Sequence, residues 1–544
     1  MANTDRGAEL LRDYNSFEDL HNFKSFAHNI AIHGEERKGG QTGGKVAGQI
    51  DNRHVFDTTF REALEVYSAG IVSDLTPQGQ PWLELVPNSF KPSKEAIHDY
   101  NKASDRIRTR LGQSNFYSGF HEAVHSGGMF GTMCLSMVPA KRKLFNFQEV
   151  PFGSYRFRET VDGDVDVVYH EWKPRTASQI YKHFKGDKLA KIPDFIMENL
   201  DNQDKKFTIV HLVQPREGKE RNSIEVTANE LERPYESIYF FAGGEEAGAT
   251  NGSGTILRIG GMYYQPYIVA RVLKSRHDAP FGRSSGTQIY PTAKMLNRAV
   301  RDIGVGVEKE VRPPILKPNN SSLTQDDRAG GSMFFDAHNQ NSKPEPFKIN
   351  PNLSYVDWFV NRLEGQIKSA FFNDLFKFFT QQSVATTEKT AFEAQLQAEE
   401  QLKLFTPIFT NISSEMLDRV IENSFAEMYI RGDFSDLQLE DNFQVTYTSR
   451  IAIAVRAQRT SGAFKLAQLA QLVEQFAQGA GARVADWEGI LADAAIDSSV
   501  SAERINDSDT ISQLKAKDQE IAELNQILQQ LQVAATAAQQ GGLT

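Results

Sequence analysis

A single cysteine in 544 residues, Cys134, excludes an intrachain disulfide framework and any thiolate zinc cluster. It stands in "MFGTMCLSMVP", where a small apolar thiol reads as a core residue. No run of 18 apolar residues occurs, so no membrane-spanning helix is expected. The start, "MANTDRGAELLRDYNSFEDL", has neither an apolar signal core nor a transit-peptide bias. The expectation is a chain made and kept in a reducing cytoplasm, or in something assembled there. A basic excess is missing too: the formal net charge is -10, which argues against a protein that coats nucleic acid. That charge leaves open a protein past which DNA slides without sticking. Tryptophan is scarce at 4 against 36 phenylalanines, so the aromatic contacts are mostly Phe contacts.

Catalytic signatures are equally scarce. There is no G-x-S-x-G, no dinucleotide fingerprint and no catalytic Cys/His arrangement. "GGQTGGKV" (Gly39–Val46) fits G-x-x-x-x-G-K, but Val46 stands where a phosphate loop needs Ser or Thr for magnesium. It reads as a surface loop. "HEAVH" matches the zinc-hydrolase pattern, with His121 and His125 on one helical face and Glu122 placed to activate a bound water. A zinc-dependent hydrolase is therefore the enzyme alternative. Against it, Gly131 occupies the third-histidine position, and Glu149 is an unmarked substitute for that ligand. Gly127 and Gly128 are expected to end the helix just past His125. No catalytic, cofactor or metal residue is assigned.

What the chain does have is length and pattern. Three or four structural units are expected from 544 residues. Leu10, Leu11, Tyr14, Phe17, Leu20, Phe23 and Phe26 predict an amphipathic helix over 8–33, with a Gly/Lys loop over 34–48. A helix over 57–75 ends abruptly at Thr76-Pro77, Gly79 permits a turn, and Pro81-Trp82-Leu83 starts an extended segment. Helical periodicity continues over 93–126. Short alternating runs over 144–275 predict a mixed or antiparallel sheet with helices at 176–184 and 188–200, and "GGEEAGATNGSGT" as a hairpin tip. A long helix over 288–310 stops at Arg312-Pro313-Pro314, a polar insert follows, and a second helix fills 353–379. A third runs from Thr387-Glu388 to about 429, with a kink expected at Pro407. A return strand over 442–454 and helices at 456–477 and 484–495 come next. Heptad spacing over 510–535 makes about two heptads, too short for a coiled coil alone. The fold class is α+β and mainly helical. Charges on the long helices (Lys294, Arg298, Arg301, Asp302, Glu308, Lys309, Glu310, Arg362, Glu364, Lys368) read as solvated or inter-subunit faces.

Four blocks in order resemble the portal proteins, or head-to-tail connectors, of T7-like short-tailed bacteriophages. They are "YSAGIVSDLTPQGQPWLEL", "FYSGFHEAVHSGGMFGTMCLSM", "PFGRSSGTQIYPTAKMLNRAVRDIGVGVEKEVRPPIL" and "SVATTEKTAFEAQLQAEEQLKLFTPIF". They span roughly 55–430, with Gln80 where the family often has Arg and a permuted Thr-Ala-Thr-Glu at 385–388. The resemblance implies an N-terminal wing (1–287), a first stem helix (288–311), a clip (312–351) and a second stem helix (352–379). A channel loop (380–388), a long kinked wing helix with return strand (389–455) and a helical crown with a tail (456–544) complete it. It implies a ring of twelve subunits at one capsid vertex, the channel for DNA packaging and ejection, with a predominantly negative bore and no catalysis. Double-stranded DNA, the terminase large subunit, tail adaptor and tail tube proteins, and the major capsid and scaffolding proteins are the implied partners. Localisation would be the virion, after synthesis in the host bacterial cytoplasm. Gln381, Gln382, Ser383, Val384 and Thr386 would face DNA in the channel loop. Lys317, Asn319, Asn320, Asp326, Asp327 and Arg328 would face terminase or adaptor in the clip. Pro77, Pro81, Trp82, Gly282, Arg283, Pro313, Pro314, Glu388 and Pro407 would be structural. The other structural reading is a capsid-internal protein without a channel.

Overall fold

The computed structural model describes residues 2–17, 30, 55–88, 93–140, 143–172, 174–219, 227, 229–244, 254–274, 280–311, 315–316, 345–346, 353–380, 391–439, 443–449, 452 and 517. In chain order, helices α1 (Ala2–Asn15) and α2 (Thr59–Leu75) precede strand β1 (Leu83–Pro87). Helices α3 (Lys94–Gln113) and α4 (Phe116–Phe130) lead to β2 (Thr132–Pro139), β3 (Phe145–Glu149), β4 (Tyr155–Glu159) and β5 (Val165–Glu171). Then come β6 (Arg175–Thr176), α5 (Ala177–Phe184), α6 (Asp194–Met197), β7 (Lys206–Pro215), β8 (Tyr235–Gly244), β9 (Ile256–Met262) and β10 (Tyr267–Arg271). Helix α7 (Ser285–Val311) is followed by β11 (Ile315–Leu316), β12 (Glu345–Pro346), α8 (Leu353–Ala370), α9 (Asn373–Thr380) and α10 (Ala391–Ile412). A π-turn (Ser413–Leu417), α11 (Asp418–Ile430) and β13 (Phe443–Tyr447) close the described elements. The chain is thus a mixture of helices and antiparallel strands, with helical residues the more numerous.

It divides into two compact units. One unites Gly79–Arg108 with the chain from Phe434 onward. Its centre is the antiparallel pair β1–β13, registered from Leu83↔Tyr447 to Pro87↔Phe443. Beyond the ladder, Thr448 N donates to Trp82 O and Thr448 Oγ1 donates to Pro81 O, both at 3.0 Å. Trp82 is fully buried while Pro81 is exposed. Ser104 on α3 accepts from Leu85 N at 2.8 Å, and Arg106 holds both carboxylate oxygens of Asp436. The expected helices over 456–477 and 484–495 and, apart from Lys517, the heptads over 510–535 lie outside the described residues.

The other unit holds 1–78 and 109–433. Its larger sheet is antiparallel in the order β4-β5-β7-β8-β9, with β6 also on β7. Alternation in "KFTIVHLVQP" sends Val210 and Leu212 to one face, where Leu10 and Tyr14 of α1 cover them. Phe207 and Ile209 go to the other face, under α5 and α6. Val213 shares that second face and packs on Cys134, Tyr267 and Val269 of a three-stranded sheet, β10-β2-β3. Between those two clusters, buried His211 stitches the sheets. Its Nδ1 is 2.7 Å from Tyr267 Oη and its Nε2 is 2.8 Å from Ser237 Oγ. His170 Nδ1 lies 3.0 Å from the same phenol. Burial holds both imidazoles well toward the neutral form; His170 is held down to about 4, with Arg175 adding to the effect.

Several expectations shift in detail. The helix expected over 8–33 is Ala2–Asn15, because Asn15 and Ser16 stop it; Ser16 Oγ turns back to Asp13 O at 2.7 Å. Residues 18–29 and the loop over 34–48 lie outside the described residues. The periodic stretch 93–126 is two helices, since Asn115 is claimed by β3: its side chain donates to Phe147 O and accepts from Phe147 N. Within 188–200 only Asp194–Met197 is helical. The helix expected from 288 starts at Ser285, where Ser284 and Thr287 exchange backbone-to-hydroxyl bonds of 2.9 and 3.2 Å. The helix expected over 353–379 breaks at Phe371–Phe372, where Phe372 has φ 54°. That turn brings Phe371 and Phe376 both edge-on to Tyr67 of α2, with Gly70 giving Phe376 its room. Pro407 lies inside α10 without ending it, and the helical ladder changes instead at the π-turn.

Candidate functional site

The five glycines of "SGGMFG" and "FGRSSG" explain how the long helix α7 is held at its base. Gly131 ends α4 in a left-handed conformation (φ 88°), and its N–H donates to Gly127 O at 2.8 Å. The chain leading into α7 then crosses it backbone to backbone. A Cβ on Gly131 would lie 2.3 Å from Gly282 O, one on Gly282 would lie 2.4 Å from Gly131 O, and one on Gly286 would lie 2.6 Å from Gly128 O. Gly282 N donates to Thr132 Oγ1 at 2.8 Å, and Ser284 Oγ donates to Met129 O. Arg283 contributes its backbone, exchanging bonds with Leu273, while its side chain is exposed. Thus Gly282 has a steric reason for being glycine, and Arg283 acts here as a ladder residue.

A buried charge cluster fixes the next layer. Arg271, 3% exposed, donates from its backbone N and from Nη2 to the two carboxylate oxygens of Glu415, at 2.8 Å each. Its Nη1 lies 2.7 Å from Glu159, and Nη2 also donates to Gly163 O. Glu415 sits in the π-turn, so this cluster ties β10 and the β4–β5 hairpin to the long C-terminal helix. Asn411 Nδ2 adds a bond to Val272 O at 3.2 Å.

Beyond the base, the helix pair α7–α8 changes character. Ser285, Gly286, Ala293 and Leu296 of α7 are buried, as are Leu363 and Ile367 of α8. Farther along, Val305, Val307 and Val311 are 43%, 50% and 74% exposed, and Trp358 of α8 is 52% exposed under the Arg362 guanidinium. The charged residues Lys294, Arg298, Arg301, Asp302, Glu308, Lys309 and Glu310 are all exposed.

The zinc pattern does not assemble. Helix α4 continues through Gly127 and Gly128 to Phe130, because these glycines make room for Met133 and Tyr67. His125 Nε2 faces Glu65 Oε1 at 3.5 Å. Burial pushes His125 toward its neutral form, with Glu65 opposing and His121 assisting. Glu149, the substitute ligand, accepts from Ser126 Oγ at 2.8 Å. Among the described residues no three His, Cys, Asp or Glu side chains form a group able to hold a metal, and no helix is long and apolar enough to cross a membrane. Cys134 is buried, and burial together with Glu149 raises its thiol well above the usual range.

The expected channel-loop residues (Gln381, Gln382, Ser383, Val384, Thr386), the clip residues (Lys317, Asn319, Asn320, Asp326, Asp327, Arg328) and Pro313, Pro314 and Glu388 lie outside the described residues. The two ends of the insert are described: β11 and β12 pair antiparallel, Ile315 with Pro346 and Leu316 with Glu345. Sequence reasoning did not single out Arg271 or Glu415, and it weighed Gly131 only as the place of a missing third zinc ligand. Gly131 carried a readable signal, a glycine directly after an apolar helix.

The long helix on its glycine-packed base is thus followed by an insert and by a second helix that packs beside it. Residues 18–505 match the bacteriophage head to tail connecting protein family, and the chain belongs to that family. The family is structural, not enzymatic. Among curated proteins the chain is similar to a probable portal protein of Bordetella phage BPP-1, 23% identical over 390 residues. That match covers 70% of this chain and 66% of the phage protein, just under two thirds of its length. Among solved structures, a chain from the neck of an empty GTA particle computed with C6 symmetry covers 83% of this chain and 95% of its own length. Its TM-score of 0.37 and 10% identity are too low to equate the two folds.

Proposed function

We propose that this chain is a phage portal subunit. Copies form a homo-oligomeric ring, expected as twelve, in the virion at one capsid vertex. DNA enters through its channel during packaging and leaves through it on ejection. Residues 288–311 and 352–379 form the two arms of the stem, the 312–351 insert the clip that docks terminase and then the tail, and 380–388 the channel loop. Residues 1–287 and 389–455 form the wing, with Pro77, Pro81 and Trp82 at its corner, and 456–544 the crown. The capsid and scaffolding proteins are the remaining partners.

One observation carries the reading beyond family membership. The stem pair is anchored at one end by backbone-to-backbone packing and leaves Val307 and Val311 uncovered at the other. Apolar residues exposed along one helix need a partner surface. A second copy supplies it in a ring. Native mass measurement and negative-stain imaging of the full-length protein test this directly. A ring with a central hole is expected, and Val307→Lys should release folded single subunits. A stable monomer under assembly conditions overturns the proposal.

A further inference from the structure

Helix α7 carries a second exposed feature besides its valines. Lys294, Arg298, Arg301 and Lys309 recur at spacings of four, three and eight residues. At about 100° per residue they fall within an arc of about 80°, centred on Val305. The stripe is about 22 Å long, on the order of six phosphate spacings of one DNA strand. Asp302 and Glu308 border it on either side. Its one ion pair among the described residues is loose: Arg298 Nε and Asp302 Oδ2 are 3.8 Å apart, with side chains 83% and 65% exposed. Arg301 rests over the Phe56 ring at 5.9 Å, which steadies its stem and leaves the residue exposed. In a chain of net charge -10, four basic groups on one helical face are a local reversal.

A neighbouring subunit's α8 is a poor complement. Its exposed face (Asp357, Trp358, Asn361, Arg362, Gly365, Gln366, Ser369) holds one acid and one base. A surface of four cations finds its match in a polyanion instead. We propose that Lys294, Arg298, Arg301 and Lys309 form a sequence-independent contact for the phosphate backbone of double-stranded DNA. The proposal rests on the portal reading and adds to it: a ladder of cations along the first stem helix, within an otherwise acidic subunit.

The test uses the assembled full-length protein and a fluorescein-labelled DNA duplex. Native mass is measured first; absence of a wild-type ring defeats the portal reading itself, whatever the stripe does. With the ring present, the Lys294→Gln/Arg298→Gln/Arg301→Gln/Lys309→Gln variant should weaken duplex binding about tenfold or more. The slope of log affinity against log salt should also fall by about two to four. An intact variant ring with unchanged affinity and slope overturns the proposal. Loss of the ring in that variant overturns it too, because the stripe then holds subunits together. A photo-crosslinking residue at Val305 gives an independent readout: adducts with the duplex support the contact, and adducts confined to a second subunit refute it.

Discussion

Helix α7 buries Ser285, Gly286, Ala293 and Leu296 near its start, whereas from Arg301 to Val311 no residue is buried. The first region is closed: glycine lies on glycine, a buried arginine is satisfied by two acids and a carbonyl, and substitutions have nowhere to go. The second is open, and on the portal reading proposed above its residues meet other copies or DNA. Within a single subunit, then, stability should live at the base, and assembly along the exposed shaft.

That division can be broken most severely at Arg271. Arg271→Met takes the buried cation from Glu159 and leaves Glu415 only the half-exposed Lys274 at 3.0 Å, and should cost about 3–5 kcal/mol of stability, the range for breaking a buried ion pair from one side. Urea denaturation measures it, and a loss below about 1 kcal/mol would show that the base tolerates disruption as the shaft does. Gly131→Ala comes next. Its Cβ would stand 2.3 Å from Gly282 O in a left-handed conformation, so about 2–4 kcal/mol should be lost through strain and overpacking. A stability within about 0.5 kcal/mol of the parent would put the crossing in doubt. The smallest effect is a dependence on pH. His170 and His211 are protonated in the unfolded chain below about 6.5 and remain neutral in the folded one, His170 down to about 4. The unfolded state therefore binds more protons across that window, and stability falls as pH drops from about 6.5 toward 4. Thermal melts over the window should show the decline, and a His170→Gln/His211→Gln variant should flatten it. An unchanged slope in that variant would assign the acid sensitivity to other groups.

Elements that rest on periodicity were legible: the corner helix to Leu75, the sheet-forming runs, and the long helix stopping at Val311 just before the prolines. Family membership was legible from four ordered blocks. What escaped were features made through space. Phe371 and Phe372 continue a helical spacing, and only packing on Tyr67 reveals why the helix turns there. The π-turn has no sequence signature, because Glu415 acquires its meaning from Arg271, 144 positions away. The zinc pattern failed for a related reason: a four-residue spacing puts two histidines on one face, but a third ligand must come from another element. Glu149, the residue offered, bonds Ser126 instead.

The small ladder between Ile315–Leu316 and Glu345–Pro346 has a consequence for how such a molecule changes over generations. Its two strands are roughly 5 Å apart, so the stretch 317–344 leaves and re-enters the helix pair at nearly one point. A closed doorway of this kind separates the length of the insert from the geometry of the shaft. Doubling the insert would add only about 0.6 kcal/mol of closure entropy. The stretch 317–344 can thus change in length or sequence while the ladder that closes it is kept.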